Sequence, residues 1–108
     1  MTYRKFYSLI GFAYKAGKCR TGATAVKELI ARGKVKLLLL DGCSKAAMGQ
    51  FAAYDGERIL LTEGKLGAAV GKEIKIAAIT DKNFADSIRN EYNYAESAGG
   101  EGAYGQSE

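Results

Sequence analysis

Histidine is absent from this chain, as are proline and tryptophan, and only two cysteines occur in 108 residues. Without histidine there is no Ser–His–Asp or Cys–His relay and no His-ligated zinc. Cys19 and Cys43 stand too far apart for a CxxC redox pair or a paired-ligand metal site, so both read as small apolar residues of a reducing compartment. No metal and no cofactor are expected. No uninterrupted aliphatic stretch exceeds four residues, Leu37 to Leu40 being one, far short of the ~18 residues of a membrane span. The opening MTYRKFYSL has no apolar signal-peptide core, and the expectation is a cytoplasmic protein that is monomeric when free.

What remains is ordinary globular material, 47% hydrophobic and 26% charged, in a length that suits one domain. Its net charge of +4 conceals a division. Residues 1–45 carry ten basic side chains against Glu28 and Asp41, a balance of +8, while residues 46–108 balance at −4. Such asymmetry points to one positive surface facing a polyanion.

Apolar positions Phe6, Leu9, Ile10 and Ala13 follow the i, i+3, i+4, i+7 spacing of an amphipathic helix over Tyr3 to Ala16. Thr2 is its expected cap and Gly17 its left-handed stop. A short extended link at Lys18 to Arg20 leads to a second helix from Gly22 to Arg32, capped by Thr21 and closed by Gly33. Val35 to Leu40 reads as a strand covered on both faces. A helix over Ser44 to Tyr54 places Ala47, Met48, Phe51 and Ala52 inward, with Gly49 weakening it. Strands follow at Arg58 to Leu61 and Ile74 to Ile79, separated by a short helix that Thr62 caps and Gly71 ends. Asp81 caps a last helix whose inner face is Phe84, Ala85 and Ile88. Alternating helices and strands predict an α/β fold, a small mixed four-stranded sheet within a three-layer α/β/α sandwich. Residues 1–92 form the predicted domain, and residues 93–108, rich in Gly and Glu, the predicted disordered acidic tail.

Catalytic machinery is not visible. Gly67 to Lys72 approximates a phosphate loop, but one residue is missing between the glycines and Glu73 stands where Ser or Thr would ligate magnesium. Asp41, Asp55 and Asp81 read as turn or cap residues rather than acid/base partners. The chain is expected not to be an enzyme.

Two clusters suit RNA. At the start of the second helix, Lys18, Arg20, Thr21, Gly22, Thr24 and Lys27 surround free amides and a glycine that permits close backbone approach. The other, Lys72, Glu73, Ile74 and Lys75, sets an exposed-looking aliphatic between charges, where it can pack on an unstacked base. Adjacency of the two would make one interface.

Several strings carry a resemblance: Ala16-Gly17-Lys18, Thr21-Gly22, LGAAVGK at Leu66 to Lys72, and IAAITDKNFA at Ile76 to Ala85. Together they resemble the YlxQ-type bacterial branch of the kink-turn RNA-binding ribosomal proteins, the L-seven-Ae superfamily, over about Tyr3 to Tyr92. The resemblance implies the three-layer sandwich, structured RNA as partner, with ribosomal RNA among the candidates, and a ribosomal or ribosome-associated role. Carried onto this chain, the surface that docks on tandem sheared G·A pairs is Gly22, Thr24 and Lys27, with Lys18 and Arg20 beside it. The loop that grips the flipped-out nucleotide is Lys72 to Lys75. The family motif has Asn-Glu where this chain has Thr24-Ala25, and Thr offers one hydrogen bond where Asn offers a bidentate set. That substitution supports a second reading, a protein-interaction module on the same fold with weak or lost RNA binding.

Overall fold

The computed structural model describes residues 3–43, 45–51 and 54–99. The elements run α1 (Arg4–Lys15), β1 (Cys19–Thr21), α2 (Ala23–Ala31), β2 (Leu37–Asp41), α3 (Lys45–Gly49), β3 (Arg58–Leu61), α4 (Leu66–Val70), β4 (Ile76–Ile79) and α5 (Lys82–Gly99). The strands form one sheet in the order β1-β4-β2-β3, with β4 antiparallel to both neighbours and β2 parallel to β3.

The sheet divides the core in two. Leu37, Leu39, Ala77 and Ile79 pack with Phe6, Ile10, Ala13, Leu66, Ala85 and Ile88, on the side covered by α1, α4 and α5. Leu38, Leu40 and Ala78 face Val26, Phe51 and Tyr54 beneath α2 and the α3 segment. The all-buried β2 is therefore lined on both faces, and the predicted α/β/α sandwich is the observed fold. Each of Leu37 to Leu40 is at most 1% exposed, so truncation to Ala at any of them removes about 2–5 kcal/mol of stability.

Helix ends follow the glycines. After α1, Gly17 at φ 76 lets its N–H reach Tyr14 O and the Lys18 N–H reach Ala13 O. After α2, Gly33 at φ 68 directs its own N–H to Ile30 O and the Lys34 N–H to Leu29 O. Both are the paired bonds that close a helix through a left-handed residue. Asp81 caps α5 as expected, its carboxylate accepting the Phe84 N–H at 2.9 Å.

Other expectations are corrected. Thr21 does not cap α2 but pairs with Ala77 in β1, and Gly22 occupies the cap position. Thr2 lies outside the described residues, and Tyr3 stands at the N-cap of α1 without a side-chain bond. Neither Thr62 nor Lys65 supplies a side-chain cap to α4. The helix expected over Ser44 to Tyr54 reduces to five residues, with Ser44, Ala52 and Ala53 outside the described residues. Past Gly49 the bonds tighten to three-residue spacing, Gln50 N–H to Ala47 O and Phe51 N–H to Met48 O, which suits a segment weakened by an internal glycine. At the other end, α5 passes the expected boundary at Asn93 and runs to Gly99 because Ala95 is buried and Tyr92 packs on Tyr3 and Phe6. Residues 100–108 of the expected tail lie outside the described residues.

Candidate functional site

Because β4 runs against its neighbours, one end of the sheet collects the C-terminal ends of β1, β2 and β3 with the start of β4. Backbone bonds lace the segments there. Gly22 N–H donates to Ile76 O at 3.0 Å, Asp41 N–H to Lys75 O at 2.8 Å, and Gly42 N–H to Leu61 O at 2.8 Å. The two sequence-predicted clusters thus come beside each other: the start of α2 is hydrogen-bonded to Ile76, the residue that follows the 71–75 loop and opens β4.

Gly22 makes this possible. Its φ of 92 and ψ of 148 are a conformation that residues with a Cβ rarely adopt, and it turns the chain from β1 into α2 within one residue. Thr24 is exposed on the first turn of α2, and Lys27 is exposed one turn further along. Arg20 is exposed on the edge strand and faces the α2 side, since its cross-strand partner Ala78 belongs to the core beneath α2. Lys18 lies apart. Its carbonyl accepts the Thr80 N–H at 2.9 Å and the Thr80 hydroxyl at 3.2 Å, which places it at the opposite end of the sheet, about 10 Å from Thr21 at the rise of a strand.

The loop after α4 is held from beneath. Gly71 at φ 77 ends that helix, and the Lys72 N–H returns to Gly67 O at 3.0 Å. A Cβ built on Gly67 would stand 2.4 Å from Lys72 O and 3.2 Å from Ile74 N, so only glycine fits there. Gly67 therefore packs the loop against its own helix and forms no phosphate cradle. Ile74 is half-buried and packs on the α1 side of the core, rather than standing free as the sequence suggested. Lys72, Glu73 and Lys75 are exposed, and the Lys72 ammonium lies 5.5 Å from the centre of the Tyr14 ring, within cation–π range.

Asp41, read from the sequence as a turn or cap residue, acts as a cap, but on a helix far along the chain that sequence reasoning did not name. It is 1% exposed, and its two carboxylate oxygens accept the Gly64 and Leu66 N–H groups at 2.9 Å each. It does for α4 what Thr62 was expected to do, and it ties the 62–66 turn to the end of β2. The signal was an acidic residue directly closing an all-apolar strand, a place where a carboxylate must find donors. Around it lies a cavity of about 450 Å³ lined by Asp41, Thr62, Gly67, Lys72, Ile74 and Lys75 among others. Nearby, burial pushes the Tyr7 hydroxyl up to about 12, helped by the carboxylates of Asp41 and Glu63, so it stays protonated at neutral pH.

Charges of both signs meet at this end, since Glu63 and the exposed Glu73 line the same cavity as Lys72 and Lys75. Among the described residues, ion pairs take up Arg32, Lys65, Lys82 and Arg89, whereas no carboxylate pairs with Arg20, Lys27, Lys72 or Lys75. Four unneutralised cations, a helix start with free amides and a half-exposed aliphatic suit a phosphate-bearing ligand. Among the described residues, no group of three His, Cys, Asp or Glu is placed to hold a metal, and no helix is long and apolar enough to cross a membrane.

No protein-family model matches the chain, and no curated protein matches it. Solved structures do. A Bacillus halodurans protein of unknown function superposes with a TM-score of 0.71 at 24% identity, over 82% of this chain and 97% of that one. The Giardia lamblia 15.5kD RNA binding protein superposes with a TM-score of 0.63 at 13% identity, over 84% of each chain. At these identities the likeness is one of fold.

Proposed function

We propose that this protein binds structured RNA with a kink-turn-like bend, without catalysis, through the sheet end formed by Arg20, Thr21, Gly22, Thr24, Lys27 and Lys72 to Lys75. The observation that carries the reading is the Gly22 to Ile76 hydrogen bond, which joins the two clusters into one surface. Phosphates meet the α2 amides, Arg20 and Lys27, while Lys72 and Lys75 hold the strand that turns across the loop. Ile74, anchored beneath and half-open above, offers a base an apolar seat. The RNA-binding name of the Giardia structural neighbour agrees with this assignment. The YlxQ-like motifs at Leu66 to Lys72 and Ile76 to Ala85 favour a ribosomal or ribosome-associated, cytoplasmic role within the L-seven-Ae superfamily.

Thr24 and Ala25 leave fewer side-chain hydrogen bonds for G·A pairs than Asn-Glu would, so recognition rests more on backbone and phosphate than on base edges. The same two residues favour the alternative, a protein-interaction module. Affinity capture with and without ribonuclease separates the two: RNA-dependent recovery of structured RNA supports RNA binding, and a protein retained after ribonuclease supports the alternative.

A further inference from the structure

Beside the sheet end, α1 and α4 lie against each other closely enough that a Cβ on Gly11 would stand 2.8 Å from the Ala69 carbonyl oxygen. The open groove left between them has a volume of about 590 Å³. Gly11, Ala68 and Ala69 give it a flat apolar floor, and Phe12 stands at its side 60% exposed, an unusual position for a large aromatic. Arg4, Lys15 and Lys65 ring it, and no carboxylate lines it. The α1 sequence RKFYSLIGFAYK contains no acidic residue. Lys65 has Glu63 at 3.6 Å, but among the described residues neither Arg4 nor Lys15 has an acidic partner.

The groove is continuous with the sheet end. Ala68 lines both this groove and the cavity around Asp41, and Lys72 reaches from the 71–75 loop to the ring of Tyr14, next to Lys15. Cations therefore stand at both openings, Lys72 and Lys75 at the cavity around Asp41, where Glu63 and Glu73 also lie, and Lys15, Lys65 and Arg4 around the groove beside the exposed Phe12. Cations that track a backbone beside an aromatic on which a base can stack are the two requirements of a single-strand site.

We propose that this groove takes a single-stranded extension of the RNA held at the sheet end, with one unpaired base stacked on Phe12, the phosphate beside it on Lys15 and a phosphate further along the strand on Arg4. The inference rests on the RNA reading above, and the test separates them. Affinities of the full-length protein would be measured for a blunt kinked stem and for the same stem with a four-nucleotide single strand at either end. The blunt stem reports on the sheet end, and the increment from the extension reports on the groove. One of the two extensions is expected to raise affinity about ten-fold. Phe12→Ala should remove that increment and leave the blunt-stem affinity unchanged, Phe12→Trp should keep it, and Lys15→Glu should remove it. The exposure of Phe12 makes loss of folding in these variants unexpected, and circular dichroism would check it. No gain from either extension, or a gain that survives Phe12→Ala, overturns the proposal while leaving the sheet-end reading intact. A Glu-rich peptide captured through Phe12, with no gain from either extension, assigns the groove to a protein and overturns it too. Failure to bind any of the three RNAs overturns both.

Discussion

The amide of Gly22 donates to the carbonyl of Ile76 at 3.0 Å, and through that bond two segments more than fifty positions apart in the sequence become one surface. Nothing lies within 4 Å of the place where a Gly22 Cβ would be, so the constraint there is conformational rather than steric. Gly22→Ala is expected to cost about 1–3 kcal/mol through its positive φ. It should also weaken RNA binding although it removes no charge. Urea denaturation and filter binding on the same preparation check both effects.

The structure splits the cations that the sequence grouped together. Arg20, Lys27, Lys72 and Lys75 stand at or near the assembled end, while Lys18 sits beside Thr80 at the other. Lys27→Glu with Lys75→Glu should reduce the slope of log affinity against log salt by about two. Lys18→Glu should change that slope by much less than one. Equal effects from all three positions would place the RNA elsewhere.

Asp41 should matter more to stability than to charge. Asp41→Asn keeps one acceptor and turns the other into a donor that faces an N–H group, so about 2–3 kcal/mol of stability should be lost. Protection of the Gly64 and Leu66 amides from hydrogen exchange should fall with it. Unchanged protection at those amides would contradict the assigned role.

Alkaline pH provides an independent check on the core. Burial raises the Cys19 thiol from 9.0 to about 11, and burial with nearby carboxylates raises Tyr7 from 10.0 to about 12. Both groups are neutral when protonated, so the unfolded chain releases its protons first as pH rises. Stability from these groups is complete below about pH 8.5 and is lost between about pH 9 and 12. Denaturation midpoints at pH 7.5, 9 and 10.5 should fall in that order, and a Cys19→Ala variant should show a shallower decline. By the same burial, Cys43 should react with a thiol reagent before Cys19 does.

Periodicity and glycine placement made much of the fold legible. The i, i+3, i+4 spacing from Phe6 to Ala13, the apolar run of β2 and the glycines at 17, 33 and 71 are local signals, and each element they mark is present. The misassigned caps share a cause. Thr21 and Thr62 are good cap residues in isolation, but Thr21 is used by a strand, and Asp41 reaches the start of α4 from 25 positions away. Long-range partners of that kind leave no mark in local sequence. Both clusters of the site were visible as charge and glycine, but their adjacency came from the antiparallel placement of β4 between β1 and β2, which spacing along the chain does not encode. The length of α5 was legible, since Tyr92 and Ala95 continue from Ile88 at i+4 and i+7, but the Gly- and Glu-rich composition beyond Asn93 outweighed that spacing in the reading.

The most direct test of the account compares the protein's affinity for a kinked stem with that for an uninterrupted duplex of equal length, between 50 and 200 mM salt. With four cations engaged, affinity for the kinked stem should fall about a hundred-fold across that range, and the kinked stem should be preferred at every salt concentration. Equal affinity for the two RNAs, or an affinity that salt leaves unchanged, would contradict it.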